Sequence, residues 1–242
     1  MRSVRRIGLL AISVVCVLGF SAVSAFADAD DALLTAAGGV ALRDIGTLSV
    51  NQPSAIELVN TATTKLEVPG VSTSECTESE FGAFVTKQKA ANEPKAGAEL
   101  SVPFGVFENC TATGFGNAPV FVDTEGAAKA ASGIEAKIWD EAPAVGIKVE
   151  LKNLNISLYI KKSATEEVVC KFSGPITGVW TNGAGPFTEE ASTNQSMADF
   201  TNQKLTSPTC GTATITSAKY FVETMSDSKN FTGSSDTVNM PT

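Results

Sequence analysis

The first candidates for chemistry are a serine–lysine pair and three pairs of neighbouring acids. Residues 226–229 read SDSK, which matches the S-x-x-K pattern of penicillin-interacting enzymes. They stand in a polar tail, however, and no Lys-Thr-Gly motif follows them. Acidic pairs stand at 140–141, 166–167 and 189–190, but glycoside hydrolysis needs two carboxyl groups about 5–10 Å apart across a cleft. Because neighbours on a strand point to opposite faces, we interpret these acids as solvated surface charge.

The chain contains no histidine. This excludes Ser-His-Asp and Cys-His catalysis, zinc sites with histidine ligands, and a histidine acid or base that titrates near neutral pH. None of the cysteines belongs to a C-x-x-C pair, which argues against a cysteine-ligated zinc ion. We therefore predict no catalytic residue, no metal site and no cofactor, and we predict that the protein is not an enzyme.

Four cysteines lie beyond the N-terminal apolar segment: Cys76, Cys110, Cys170 and Cys210. An even number of cysteines in an exported chain indicates disulfide bonds, and four cysteines allow three pairings. The sequence alone does not choose among these pairings. We favour Cys76–Cys110 and Cys170–Cys210, because the members of each pair belong to one local unit. Loop entropy predicts that each bond stabilises the fold by about 3–4.5 kcal/mol.

Four aromatic residues could stack on a sugar ring: Trp139, Tyr159, Trp180 and Tyr220. Sugar-binding sites commonly present an exposed row of flat rings, but these four are scattered among many phenylalanines, so core packing is their expected role. Trp180 is the one candidate ligand contact, because it ends a predicted strand beside the glycine-rich segment 182–186 (NGAGP).

Residues 1–27 have the three parts of a secretory signal peptide. Three arginines precede an apolar run over 7–20, and the segment ends in the small-x-small pattern that closes at Ala27. We predict cleavage near Ala27 and a secreted or cell-surface location. The apolar run is short for a membrane span, and no later run reaches the required length, so we predict no membrane span in the mature chain.

The mature chain is strongly acidic. The signal segment removes three of the 18 basic residues and none of the 26 acidic ones, which leaves a net charge of −11. An acidic chain repels phosphate backbones and anionic lipid, so we predict no nucleic-acid partner and no binding to a membrane surface. The partner is unknown, and the predicted export places it at the cell envelope or outside the cell.

From residue 45 onward, apolar and polar residues alternate in runs rich in Val, Ile, Thr and Phe. Residues 145–160 contain two such runs on either side of Asn153 and predict a hairpin with one buried face. Many short strands predict an all-β fold, namely one or two antiparallel β-sandwiches of immunoglobulin-like architecture.

The cysteines divide the predicted strands into two halves. The N-terminal β unit covers 28–123 and holds the first cysteine pair, and a connecting segment covers 124–133. The C-terminal β unit covers 134–242 and holds the second pair. The sequence leaves open whether these units are two domains or two halves of one sandwich.

Several short motifs around the cysteines carry a resemblance. Cys76 is followed by Glu-Phe-Gly at 80–82 and by SVPFGVFENCTATGFG at 101–116. Later, Cys-x-Phe-x-Gly begins at Cys170, and Cys-Gly-x-Ala-x-Ile-x-x-Ala-x-Tyr begins at Cys210. This arrangement resembles small secreted bacterial four-cysteine all-β proteins of unknown function. The resemblance covers about half of the chain and implies export, an all-β fold and disulfides, but no activity and no catalytic residues.

These observations predict an exported non-catalytic β protein, a structural or binding module at the cell envelope or outside the cell. The alternative is a carboxylate-based hydrolase of extracellular polysaccharide, which requires two facing acids in an aromatic-lined groove. A third hypothesis is an adhesin-like subunit that gains a strand from a partner, which requires an uncovered sheet edge.

Overall fold

The structure is a computed structural model that describes residues 34–36, 55–87, 97–115, 117–124, 134–140, 146–183, 195–224 and 238–239. The predicted signal peptide lies outside these residues. The elements of the first half are β1 (Thr35–Ala36), β2 (Ala55–Asn60), β3 (Thr64–Val68), β4 (Ser72–Lys87), β5 (Gly97–Ala112), a short 3-10 helix (Thr113–Phe115), β6 (Ala118–Asp123) and β7 (Ile134–Asp140). Those of the second half are β8 (Ile147–Lys161), β9 (Glu167–Thr181), β10 (Met197–Asp199), β11 (Gln203–Ser207), β12 (Gly211–Ser217), β13 (Lys219–Thr224) and β14 (Val238–Asn239).

Strands β2 to β13 form one antiparallel sheet of twelve strands that closes on itself. Four strands, β4, β5, β8 and β9, are long and continuous. Four further positions are each filled by two short strands that follow one another in the chain: β2 with β3, β6 with β7, β10 with β11, and β12 with β13. The last position pairs with the first, since Val222 lies opposite Leu58 and Ile215 lies opposite Leu66. The result is an up-and-down closed sheet.

Local sequence explains the tight turns between these strands. At the β3–β4 turn, Pro69 and Gly70 occupy the two central positions, and the N–H of Val71 donates to the carbonyl of Val68 at 3.0 Å. Gly70 has a φ of 74°, which is the left-handed conformation that glycine adopts without steric cost. Proline followed by glycine therefore fixes this turn and the register of the hairpin.

The interior of the closed sheet is the hydrophobic core. Strand β8 shows how alternation builds it, because its Ile, Val and Leu residues face inward over the whole length of the strand. The register shifts between Leu151 and Leu154, so a bulge at Lys152 and Asn153 keeps the apolar residues on both sides of it facing inward. The hairpin predicted over 145–160 is therefore wrong: Asn153 lies in a bulge of one continuous strand.

The prediction of an all-β fold is confirmed. The immunoglobulin-like sandwich is not confirmed, because the pairing joins twelve strands into one closed sheet rather than two stacked sheets. Both architectures bury one face of every strand, so the alternation of apolar and polar residues does not distinguish them. The strands of both predicted β units belong to this sheet, and most of the predicted connection between them lies outside the described residues.

Two disulfides link neighbouring parts of the sheet, with the pairing favoured from the sequence. Cys76 and Cys110 are direct partners on β4 and β5, with their Cα atoms 4.0 Å apart. Cys170 on β9 is bonded to Cys210 in the β11–β12 turn, with a Cα distance of 5.6 Å. Two disulfides are typical of proteins that work in an oxidising compartment.

Candidate functional site

Trp180, the predicted ligand contact, lies inside the sheet. Its side chain is 3% exposed, and its indole N–H donates to Oδ1 of Asn182 at 3.1 Å. On the neighbouring strands it lies opposite Ile147 and Ala198. The ring therefore packs in the core. Residues 184–194, further along the chain, lie outside the described residues, and the ligand contact of Trp180 stays a prediction.

The other residues singled out from the sequence are spread over the molecule. Tyr220 is buried, whereas Trp139 is half-buried beneath the ammonium group of Lys137. Glu166 is exposed and forms an ion pair with Lys162 at 3.1 Å. The acids at 189–190 and the SDSK segment at 226–229 lie outside the residues that the structure describes.

An exposed apolar row crosses the outer surface of β6, β8 and β9. Phe121 lies opposite Tyr159, and Tyr159 lies opposite Val169. Phe121 is 66% exposed and Val169 is 37% exposed. The rings of Phe121 and Tyr159 are tilted by 49°, with their centroids 5.9 Å apart. Neighbouring strands lie about 4.8 Å apart, so the apolar row spans roughly 10 Å.

A groove of about 330 Å³ with both polar and apolar walls adjoins the apolar row. Ser157 stands two positions from Tyr159 on β8, and Lys171 stands two positions from Val169 on β9, so each pair points to the same face. The volume lies within the about 300–1,000 Å³ that is typical of ligand sites. We call the row and the groove together the binding face. The groove is lined by Asn155, Ile156, Ser157, Lys171, Phe172, Ser173 and Pro208.

Charges on the binding face balance one another, although the chain as a whole has a net charge of −8. On one side of the apolar row, Lys161 lies opposite Glu167. On the other side, Lys171 and Asp123 both lie opposite Ser157, from the two strands that flank β8. Two cations and two carboxylates therefore surround the row, and the local field is close to neutral.

The sequence contains a local signal for this face. In 118–123, Ala118, Val120 and Val122 alternate with Pro119, Phe121 and Asp123. A proline and an aspartate mark the outward side, so the alternation assigns Phe121 to the solvent face. The sequence does not show which strands pair with β6. The contact of Phe121 with Tyr159 could therefore be recognised only in the structure.

Three glutamates form a second cluster on the outward-facing side of the sheet, where β2 pairs with β13. Glu57 on β2 lies opposite Glu223 on β13 and is hydrogen-bonded to Glu80 on β4. Burial, this hydrogen bond and repulsion from both neighbours raise the pKa of Glu57 to about 8. Hydrogen-bonded carboxyl groups are closer than the about 5–10 Å that glycoside hydrolysis requires. Among the described residues, no group of three or more His, Cys, Asp or Glu is arranged to hold a metal ion.

The interior leaves a cavity of about 50 Å³ with mostly apolar walls. At its edge, the hydroxyl groups of Thr64 and Ser79 lie 2.8 Å apart, and Ser79 donates to Tyr220 Oη at 3.2 Å. A dry cavity that binds benzene measures about 150 Å³, so this one is too small for such a ligand. The interior therefore serves packing, and the binding face is the stronger candidate site.

We expect the Tyr220→Phe substitution to lower the free energy of unfolding by about 1 kcal/mol, because it removes a buried hydrogen bond. Urea denaturation measures this change. Ser74→Ala is the matched control: the Ser74 hydroxyl is buried and has no hydrogen-bond partner within the described part of the chain. Its removal should leave the stability unchanged or raise it. Equal stability of Tyr220→Phe and the wild type would contradict a stabilising hydroxyl cluster.

Comparison with protein-family models, curated proteins and solved structures finds no match for the chain. Within the ranges that the structure describes, no helix has the length and apolar character needed to cross a membrane.

Proposed function

We propose that the chain is an exported, non-catalytic binding module that acts at the cell envelope or outside the cell and binds its ligand on the binding face. The observation that carries the proposal is the 66% exposure of Phe121 beside Tyr159 and a groove that contains several polar groups. The signal-peptide pattern of 1–27 and the two disulfides support export.

The exposure of Phe121 indicates an interaction surface. Water contact with a large aromatic ring is unfavourable by roughly 25 cal/mol for each Å² of apolar area. Here the ring is not alone, because Tyr159 and Val169 extend the apolar row across two further strands. Apolar surface beside a groove with a few polar groups is the usual composition of a ligand site.

The arrangement of acids on the binding face supports binding without hydrolysis. Its two carboxylates, Asp123 and Glu167, lie on opposite sides of the apolar row. Asp123 lies opposite Ser157 of β8, and Glu167 lies opposite Lys161, which is four residues further along β8. Four residues along a strand correspond to about 13 Å at ~3.3 Å per residue, which exceeds the about 5–10 Å used by glycosidases.

Cosedimentation with washed bacterial cell walls tests the proposal. We expect the purified, disulfide-bonded protein to cosediment and Phe121→Ala to bind about tenfold more weakly, because the variant loses the stacking surface. Val179→Ala is the matched control, since Val179 is 46% exposed on β9 but lies near the opposite end of the strand from Val169.

Two results would count against the proposal. Equal binding by the wild type and Phe121→Ala would show that the binding face is not used. Release of new reducing ends from the cell-wall material by the wild type would show that the protein is a hydrolase rather than a binding module.

A further inference from the structure

The chemistry of the binding face specifies a class of ligand. Phe121 and Tyr159 offer ring faces on which another flat or C–H-rich ring can stack. Beside them, the amide of Asn155 and the hydroxyl of Ser173 can both donate and accept hydrogen bonds. Sugar hydroxyl groups also donate and accept, so a sugar matches both parts of this surface.

The charge of the surface separates sugars from the other ligands that stack on aromatic rings. Nucleic-acid bases stack on such rings too, but their binding relies on a positively charged groove. Here Lys161 and Lys171 are balanced by Asp123 and Glu167, and the chain has a net charge of −8. A polyanion would gain little at this face and would be repelled by the rest of the molecule.

The strand pairing argues against a peptide that adds to the sheet. Next to the apolar row, β8 is hydrogen-bonded to β6 on one edge and to β9 on the other. Peptides that bind as an added strand need a free edge, and the centre of this face offers none. The ligand must instead lie across the strands and contact side chains.

We infer that the binding face binds a linear neutral oligosaccharide, with one sugar stacked on the exposed Phe121 ring beside Tyr159 and the neighbouring sugars in the groove beside Lys171. This inference rests on the proposed function, because it names the ligand of the same face. The roughly 10 Å length of the apolar row and the groove volume of about 330 Å³ favour a chain of several sugars over a monosaccharide.

Isothermal titration calorimetry with defined hexasaccharides tests the inference. The probes are cellohexaose, chitohexaose and maltohexaose, which are neutral and linear, with hexagalacturonate and oligothymidylate as anionic probes. We expect at least one neutral hexasaccharide to bind, and Phe121→Ala to weaken that binding about tenfold. Phe121→Tyr, which keeps the ring, should bind within about threefold of the wild type, and Val179→Ala should bind unchanged.

Three results would overturn the inference: no binding of any neutral hexasaccharide at about 1 mM, binding that does not depend on Phe121, or binding of an anionic probe alone. Thermal melts of each variant verify that it is folded. If cosedimentation with cell walls depends on Phe121 while every neutral hexasaccharide fails, the inference is wrong and the proposed function stands. If cosedimentation itself is independent of Phe121, the proposed function fails.

Discussion

Removal of the Cys170–Cys210 bond, in the double variant Cys170→Ala/Cys210→Ala, is expected to lower the free energy of unfolding by about 4 kcal/mol. The bond closes a loop of 40 residues, and the loss of unfolded-state entropy in a loop of this length contributes about 4 kcal/mol to the free energy of unfolding. It also lies where the sheet has little backbone pairing, because β9 and β11 share a single ladder pair, Ser173 with Thr206. Urea denaturation under non-reducing conditions measures the change.

The Cys76→Ala/Cys110→Ala variant is the matched control for this prediction. Its loop of 34 residues gives nearly the same entropic term, but its cysteines are partners within the long β4–β5 ladder. Hydrogen exchange should therefore accelerate in β11 only when the Cys170–Cys210 bond is absent, because the β4–β5 ladder holds its strands together without a disulfide. Unchanged exchange in β11 of the first variant would contradict this account.

The fold is expected to become less stable as the pH rises, because Glu57 then loses its proton. The pKa of Glu57 is raised from 4.5 to about 8 by burial and by its two glutamate neighbours. Between these values the folded protein holds a proton that the unfolded chain has released, so folding is favoured by protonation. This contribution is fully present below pH 4.5 and is lost as the pH rises through about 8. Because Glu57 is only half-buried, solvent screening limits the effect to about 1–2 kcal/mol.

The Glu57→Gln variant should remove most of this dependence. Glutamine keeps a hydrogen-bonding group next to Glu80 but does not ionise. At a pH of about 9 the variant should exceed the wild type in stability by about 1–2 kcal/mol, as measured by urea denaturation at several pH values. Glu166→Gln alters only an exposed ion pair, so the free energy of unfolding should depend on pH as it does in the wild type. If the Glu57→Gln variant still loses stability steeply as the pH rises, groups other than Glu57 cause the pH dependence.

The local structure of this chain could be predicted from its sequence, but the closure of the sheet could not. Alternation is strong in β8 and β9 and predicts strands over both ranges, but it divides β8 into two shorter strands. The same alternation suggested a break at Asn153, where the chain makes a bulge instead, because two consecutive outward residues resemble a turn in sequence. Closure depends on pairing between β2 and β13, whose residues are more than 150 positions apart, and no local pattern encodes such a pairing.

In the candidate site, too, the direction of single side chains could be predicted from the sequence, but the contacts between strands could not. The outward direction of Phe121 follows from the valines on either side of it. Its contact with Tyr159 requires the β6–β8 pairing. The contact of Glu57 with Glu80 requires the β2–β4 pairing, and its contact with Glu223 requires the closing pair β2–β13. Trp180 was singled out for its position at the end of a strand, but its neighbours place it in the core.

The path of the chain through the closed sheet determines how the binding face would be presented to its surroundings. Ile56 of β2 lies opposite Thr224 of β13, so the chain enters and leaves the sheet at the same rim. Strand β8 runs from that rim, at Ile147, to the opposite one, and Tyr159 stands near its far end. Twelve residues at ~3.3 Å each place the apolar row roughly 40 Å from the entry rim, measured along the strand. A support or fusion partner attached at this rim would therefore hold the module by one end and leave the part of the side wall that carries Phe121 exposed to the surroundings.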